Sequence, residues 1–337
     1  MKYSFPKVEL HLHLDGAITP ETLFELAKER GIPLPADNPE DLTPFVVVQK
    51  DCRSVNEALE KFKLPTEILQ DKAALKRIAR ELTKRTADQG IVYAEIRFAP
   101  QLHTLKGISQ KDAIEAVLEG IREGKQNKDI EIGLILCAMS IASAQFNKEA
   151  NLETVRLAAE MKDMGVDAVD LAGNEGLCPL SDFGYVFDLA KELGLKYTCH
   201  AGDSQPSGTV KTAIFDFGSR RIGHGHRIYD DKKLCEAAIE KGVTLEICLT
   251  SNIQCQSQPS YAEHPAKKLL SMGVAVTLNT DNPIISQVSL EEEYDIAMSE
   301  AGFTENDLII MNINAVNASF MPDDKKEKLI KKLKTYL

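Results

Sequence analysis

An α/β fold, a (β/α)8 TIM barrel, is what the sequence predicts, and three observations predict it. First, a helical pattern six times ends at a glycine and an aliphatic run follows: Gly90 before IVYAEIRF, Gly165 before VDAVDLAG, Gly194 before LKYTCHAG, Gly218 before SRRIGHG, Gly242 before VTLEICL and Gly273 before VAVTLNT. Second, VELHLHL near the N-terminus and EIGLILCAM at 131–139 bring the expected strands to eight, alternating with helices. Third, histidines and carboxylates gather where these runs end, the face on which such a barrel carries its chemistry. An open doubly wound sheet is the alternative, but no GxGxxG follows an early strand.

The strands are expected at 7–14, 91–99, 131–139, 167–172, 196–201, 221–225, 244–250 and 275–280. They are mostly continuous apolar runs, as parallel strands covered on both faces are. Each glycine before a run fits the left-handed position that ends a helix. In TPETLFELAKERG, Thr19 can cap, Pro20 suits the first helical position and Gly31 stops the helix. Ser109 and Asp112 have the spacing of a capping box. Residues 17–90, with the Pro-rich stretch IPLPADNPEDLTP, read as a helical insertion after strand 1 that covers a pocket. The chain after strand 8 reads as C-terminal helices, and the charges of DDKKEKLIKKLKTYL as a solvated face. No linker or repeat divides the chain, so residues 1–337 are expected to form a single barrel domain.

A net charge of −11 argues against a surface that tracks nucleic-acid phosphates. Seven cysteines without a CxxC pair, several inside apolar runs such as LILCAM and LEICL, suit free thiols in a reducing compartment. No signal peptide or membrane-spanning run is evident. The expectation is a cytoplasmic protein with a small-molecule substrate and no nucleic-acid or membrane partner.

Strand 1 ends in HLHLDG, with His11, His13 and Asp15. Strand 5 ends in His200, followed by Asp203; strand 6 ends in His224; strand 8 runs into Asp281 and Asn282. Residues i and i+2 of a strand share a face, so His11 and His13 can present two nitrogens to one ion. His200 and Asp281 complete a set of three nitrogens and one oxygen that suits Zn2+. Packed histidines are as good a reading of HxH alone, but not once His200, His224 and Asp281 also fall at strand ends. Zinc with an open position lowers the pKa of bound water to about 7. His224 could hold that water or take its proton, and Asp203 could act as general acid toward a substrate nitrogen. His103 and His264 read as surface or helix-start residues, and His226 as loop.

The ordered segments KVELHLHLDGAITPETLFELA, YAEIRFAPQLHT, DLAGNE, CHAGD, RIGHGHRI and LNTDNP make the chain resemble the adenosine deaminase family of the amidohydrolase barrels. The resemblance spans strand 1 to strand 8. It implies hydrolysis of adenosine or 2′-deoxyadenosine to inosine or 2′-deoxyinosine plus ammonia, with one zinc ion per chain on His11, His13, His200 and Asp281. It implies catalytic roles for Asp203, His224 and Asp281, with His224 handling the water. On the substrate side it implies His13, Asp203 at purine N1, the Gly173 backbone at N3, Asn282 at N7 and Asp15 at the ribose 5′-hydroxyl.

Three positions depart from the family pattern: HAGD for HAGE, TDNP for TDDP and DLAGNE for DLAGDE. Asp203 is one methylene shorter than glutamate, a reach of about 1.5 Å, and about 1 Å of misplacement can cost on the order of 10²-fold in rate. Asn282 can donate to N7 without being protonated, which a carboxylate cannot do. The alternatives are a deaminase of another aminated purine or heterocycle, a catalytically silent nucleoside-binding relative, or a different metal hydrolase on the same barrel. Bound-metal stoichiometry separates the last, which uses two or more ions.

Overall fold

The computed structural model describes residues 2–49, 52 and 54–337. At its centre parallel strands follow one another in chain order: β1 Lys7–His13, β2 Ile91–Phe98, β3 Glu131–Ser140, β4 Val166–Gly173, β5 Lys196–Tyr197, β6 Cys199–Ala201, β7 Arg221–His224, β8 Thr244–Ile247 and β9 Ala275–Leu278. β1 to β5 form one hydrogen-bonded run and β6 to β9 another. β5 and β6 are halves of the fifth expected strand, parted at Thr198, whose N–H still donates to Val169 O on β4 at 3.0 Å. The ring closes where Asp281 bridges Leu12. There His13 N donates to Asp281 O at 2.8 Å and Asp281 N to His11 O at 3.0 Å. The eight-stranded barrel expected from sequence is therefore present, and the backbone of its HLH segment helps to close it.

The six strand-preceding glycines all have φ between 63° and 116°. Thr19 caps the helix Pro20–Glu29 by accepting from Thr22 N at 3.2 Å, and Ser109 and Asp112 form the capping box of Gln110–Gly124. Between β1 and β2 lie the helices Pro20–Glu29, Pro39–Val46, Val55–Leu59, Lys63–Ile68 and Lys72–Asp88. The last packs on Gln110–Gly124. A Cβ at Gly120 would stand 2.3 Å from Lys76 O, so this crossing needs glycine. Of the C-terminal helix Asp323–Leu333 only Leu333 is buried, and its charges face water. Aliphatic strand residues such as Leu10, Ile96, Leu136, Val169, Ile222, Leu245 and Val276 make the core. Among the described residues no helix is long and apolar enough to cross a membrane.

Glu293, on the helix Leu290–Ser299, is fully buried. Its Oε1 accepts from Thr250 N at 3.0 Å and its Oε2 has no partner. Burial pushes its carboxyl up to about 8. Above the ordinary glutamate value the folded protein keeps a proton that the unfolded chain releases, so stability falls as pH rises toward 8. Glu293→Gln, which carries no charge at any pH, is expected to melt close to the native protein at pH 5 and above it at pH 9. Within the window this one group contributes a slope of up to about 1.4 kcal/mol per pH unit. Melting differences that stay flat between pH 5 and 9 would refute this.

Candidate active site

Five charges on the barrel strands, Glu95, Arg97, Asp170, Arg221 and Glu246, are buried and paired with one another. Arg97 on β2 donates to Asp170 Oδ2 and Glu246 Oε2, both at 2.8 Å, and to Leu10 O at 2.6 Å. Arg221 on β7 donates to Glu246 Oε1 at 2.7 Å and to Glu95 Oε2 at 2.5 Å. The guanidiniums outweigh burial at Glu246 and hold its carboxyl well below the usual range. Such a network is costly to desolvate unless each charge is answered, so its upper edge matters.

At that edge stand the predicted residues. His11 Nδ1 pairs with Glu246 Oε2 at 3.1 Å. His200 Nδ1 lies 2.9 Å from Asp170 Oδ2, a charge contact rather than an aligned hydrogen bond. Their Nε2 atoms are thus turned inward. His13 Nε2 is 3.2 Å from His11 Nε2 and 3.3 Å from His200 Nε2, and Asp281 Oδ1 is 3.4 Å from the Nε2 atoms of both His11 and His13. Burial lowers the pKa of His11 and of His13, which leaves neutral imidazoles facing one another and a carboxylate. At His200 burial works the same way, but Asp170 outweighs it and draws positive charge to the ring.

A cation at the common point satisfies all of this. Donor atoms on arms of about 2.0–2.1 Å in a tetrahedron stand about 3.3 Å apart, close to the four distances above, 3.2–3.4 Å. Two guanidiniums also face Glu95, Asp170 and Glu246 with Asp281 above, so the carboxylates outnumber the arginines by two. His11, His13, His200 and Asp281 therefore fit a divalent ion. Gly223 makes room for this packing, since a Cβ there would stand 3.0 Å from His11 and 3.2 Å from His200.

His224 and Asp281 have φ of 62° and 61°, left-handed values for residues with a Cβ. Such strain costs of order 1–3 kcal/mol and concentrates at functional sites. Asp281 Oδ2 accepts from Ser251 Oγ at 2.6 Å. Asn252 joins His224 to Asp203: its Nδ2 lies 3.1 Å from His224 Nδ1 and donates to Asp203 Oδ1 at 2.7 Å. Ser257 Oγ donates to the same oxygen at 2.9 Å. His264 fixes the amide, because Ala266 N donates to its Nδ1 and its Nε2 faces Asn252 Oδ1 at 3.2 Å. His224 Nδ1 is therefore an acceptor.

Two expectations are corrected. His103 and His264 are not surface residues, for both are buried. His264 does precede the short helix Ala266–Ser271, but His103 ends the 3-10 turn Pro100–His103, its Nδ1 2.7 Å from Leu69 O and its Nε2 2.6 Å from Asp15 Oδ1. His226, expected in a loop, instead opens the 3-10 turn His226–Asp230 and is buried against His264. Glu246, Asp170, Arg97 and Asn252 were missed.

Above the convergent nitrogens lies a cavity of about 570 Å³. Asp15, Gly173, Asp203, His224, Asp281 and Asn282 all line it, as do Val55, Ala58, Leu59 and Phe62 from the β1–β2 connection. Asn282 Oδ1 is buried without a partner.

The adenosine deaminase family model matches residues 6–336. The adenosine deaminase of Haemophilus ducreyi is 39% identical over 327 residues, 96% of this chain and 94% of that protein. The crystal structure of an Arabidopsis N6-mAMP deaminase superposes with a TM-score of 0.86 at 31% identity, over 98% of both chains. An amidohydrolase of Burkholderia ambifaria solved with bound zinc superposes at 0.87 and 25% identity, over 98% of this chain and 90% of that one. With its barrel, its strand-end histidines and a match over nearly its whole length, the chain belongs to the adenosine deaminase family and is a hydrolase of C–N bonds in cyclic amidines.

Proposed function

We propose that this protein hydrolyses adenosine and 2′-deoxyadenosine to inosine and 2′-deoxyinosine plus ammonia, using one zinc ion per chain. The observation that carries the reading is that His11 meets His13 and His200 on one side and Asp281 and His224 on the other, beneath a cavity walled by Asp203 and His224. A relative solved with bound zinc supports the choice of metal. Zinc bound by His11, His13, His200 and Asp281 supplies Lewis-acid activation of a water at neutral pH.

The chain's own residues do the rest. His224, fixed by Asn252, holds the attacking water beside C6. The water's proton passes to the Asp281 carboxylate and Asp203 gives its proton to purine N1 as the hydroxide adds to C6; the proton on Asp281 then goes to the amine, the C6–N6 bond breaks with release of ammonia, and the C6 hydroxyl returns a proton to Asp203 to leave the C6 carbonyl. Asn282 reads the Hoogsteen edge by donating from its amide nitrogen to N7, as an amide can do without being protonated. The Gly173 backbone meets N3, and Asp15, anchored by His103, takes the ribose 5′-hydroxyl. His13 contributes a face to the substrate as well as a nitrogen to the metal. Seven free thiols support a cytoplasmic setting.

Ultraviolet assay of adenosine conversion tests the reading. Zinc-loaded protein is expected to turn over adenosine, chelation to abolish turnover, and one equivalent of zinc per chain to restore it. A tethered, shortened acid at Asp203 favours one second reading, a different aminated purine. Adenine and N6-methyl-AMP turned over in place of adenosine would establish that reading. Adenosine binding without ammonia release from any of the three would mark a silent relative.

A further inference from the structure

We propose that Glu175 is a positioning residue for Asp203, acting through the backbone of residues 202–205; this rests on the reading of Asp203 as proton donor. Glu175 lies two residues beyond β4, in a loop distant in sequence from the acid's own segment. Its Oε1 accepts from Gly202 N and from Thr209 Oγ1, both at 2.5 Å. Its Oε2 accepts from Asp203 N at 3.2 Å, from Ser204 N and Gln205 N at 3.0 Å, and from Ser204 Oγ at 3.4 Å.

Four consecutive backbone N–H groups thus converge on one carboxylate. Such a concavity is an anion site, and here the chain supplies the anion itself. Gly202, with φ of 67°, turns the chain so that these groups point inward. Among the described residues, 202–205 lie outside helix and strand, so no regular ladder fixes them. Glu175 therefore sets the backbone from which the Asp203 side chain departs, while Asn252 and Ser257 hold the carboxyl group at its far end. The device matters more for aspartate than for glutamate. A side chain with one torsion fewer cannot swing to make good a displaced backbone, and about 1 Å of displacement costs on the order of 10²-fold in rate.

The test is a double-mutant cycle on the zinc-loaded, full-length protein, with Glu175→Gln, Asp203→Asn and the double variant assayed on adenosine. Glutamine turns an NH2 group toward part of the N–H cluster. Glu175→Gln is expected to lower kcat by about 10²-fold with KM changed by less than about threefold. The double variant is expected to be no slower than Asp203→Asn alone, since a residue acting only through Asp203 has nothing left to position. Glu175→Asp, which keeps the charge, is expected to fall between the native protein and Glu175→Gln. Amide hydrogen exchange of 202–205 is expected to speed up in Glu175→Gln while β1 to β4 keep their protection.

Losses that multiply in the double variant, or an unchanged kcat in Glu175→Gln, overturn the proposal while leaving the role of Asp203 intact. Full activity in Asp203→Asn overturns the reading on which the proposal rests, and the proposal with it. Unchanged exchange at 202–205 overturns the clamp whatever the substrate proves to be.

Discussion

Asp203→Asn is expected to lower kcat for adenosine by about 10²–10⁴-fold, the range that a positioned general acid contributes, equivalent to about 3–5 kcal/mol of transition-state stabilisation. The substitution is nearly isosteric. The side-chain oxygen that accepts from Asn252 and Ser257 is retained, so the fold and the shape of the cavity stay as they are. What is lost is the proton for N1. Inosine, which the protein binds without having to protonate it, is expected to bind within a few-fold of its native affinity. Asp203→Glu separates the acid from its reach. It keeps the proton but exchanges the hold of Asn252 and Ser257 for about 1.5 Å of extra length, and a smaller loss than that of Asp203→Asn is expected. Steady-state kinetics beside an inosine titration decide the matter. Equal losses in turnover and in inosine affinity for Asp203→Asn would show that Asp203 shapes the pocket and does not transfer a proton.

The barrel was legible because its signals are local. A glycine after a helix and an aliphatic run after the glycine report backbone conformation and burial residue by residue, and all six such glycines have the left-handed φ that the reading requires. The residues around the metal position were legible for a related reason, since HxH and the histidines at later strand ends keep fixed places along their strands. What supports them was not. Glu246 lies in LEICL, Asp170 in AVDLAG and Arg97 in EIRF. Each is a charge inside a largely apolar strand, and that incongruity was the available signal, because a charge in a doubly covered strand has to be answered across the barrel. Which charge answers which depends on closure of the ring, and no sequence spacing encodes that. His103 and His264 were misread for the same reason. Their partners, Asp15 and Asn252, lie 88 and 12 residues away, on other segments of the fold.

Glu246→Gln is expected to have the largest effect on stability, and to act on the metal as well. Among the described residues Glu246 is the one carboxylate that meets His11, Arg97 and Arg221 together. Removing its charge leaves two guanidiniums in the barrel interior with only Asp170 and Glu95 to answer them. Breaking a buried pair from one side costs about 3–5 kcal/mol, since the remaining charge stays desolvated. The same change releases the ring of His11. Glutamine can present either its oxygen or its NH2 group to Nδ1, and in the second orientation the imidazole must take the other tautomer, with its hydrogen on Nε2, toward the three other donors. Loss of such a supporting partner typically lowers metal affinity by 10–100-fold. Urea unfolding of the apo-protein and zinc competition against a chelator measure the two effects separately. His11→Ala serves as the control: it is expected to weaken zinc binding while sparing the arginine pairs, and so to unfold closer to native than Glu246→Gln. A Glu246→Gln protein that unfolds early yet holds zinc at native affinity would make the network a brace for the barrel alone. Loss of both would show one carboxylate serving two ends, since the charge that keeps two buried arginines tolerable also fixes the face that His11 turns toward the metal.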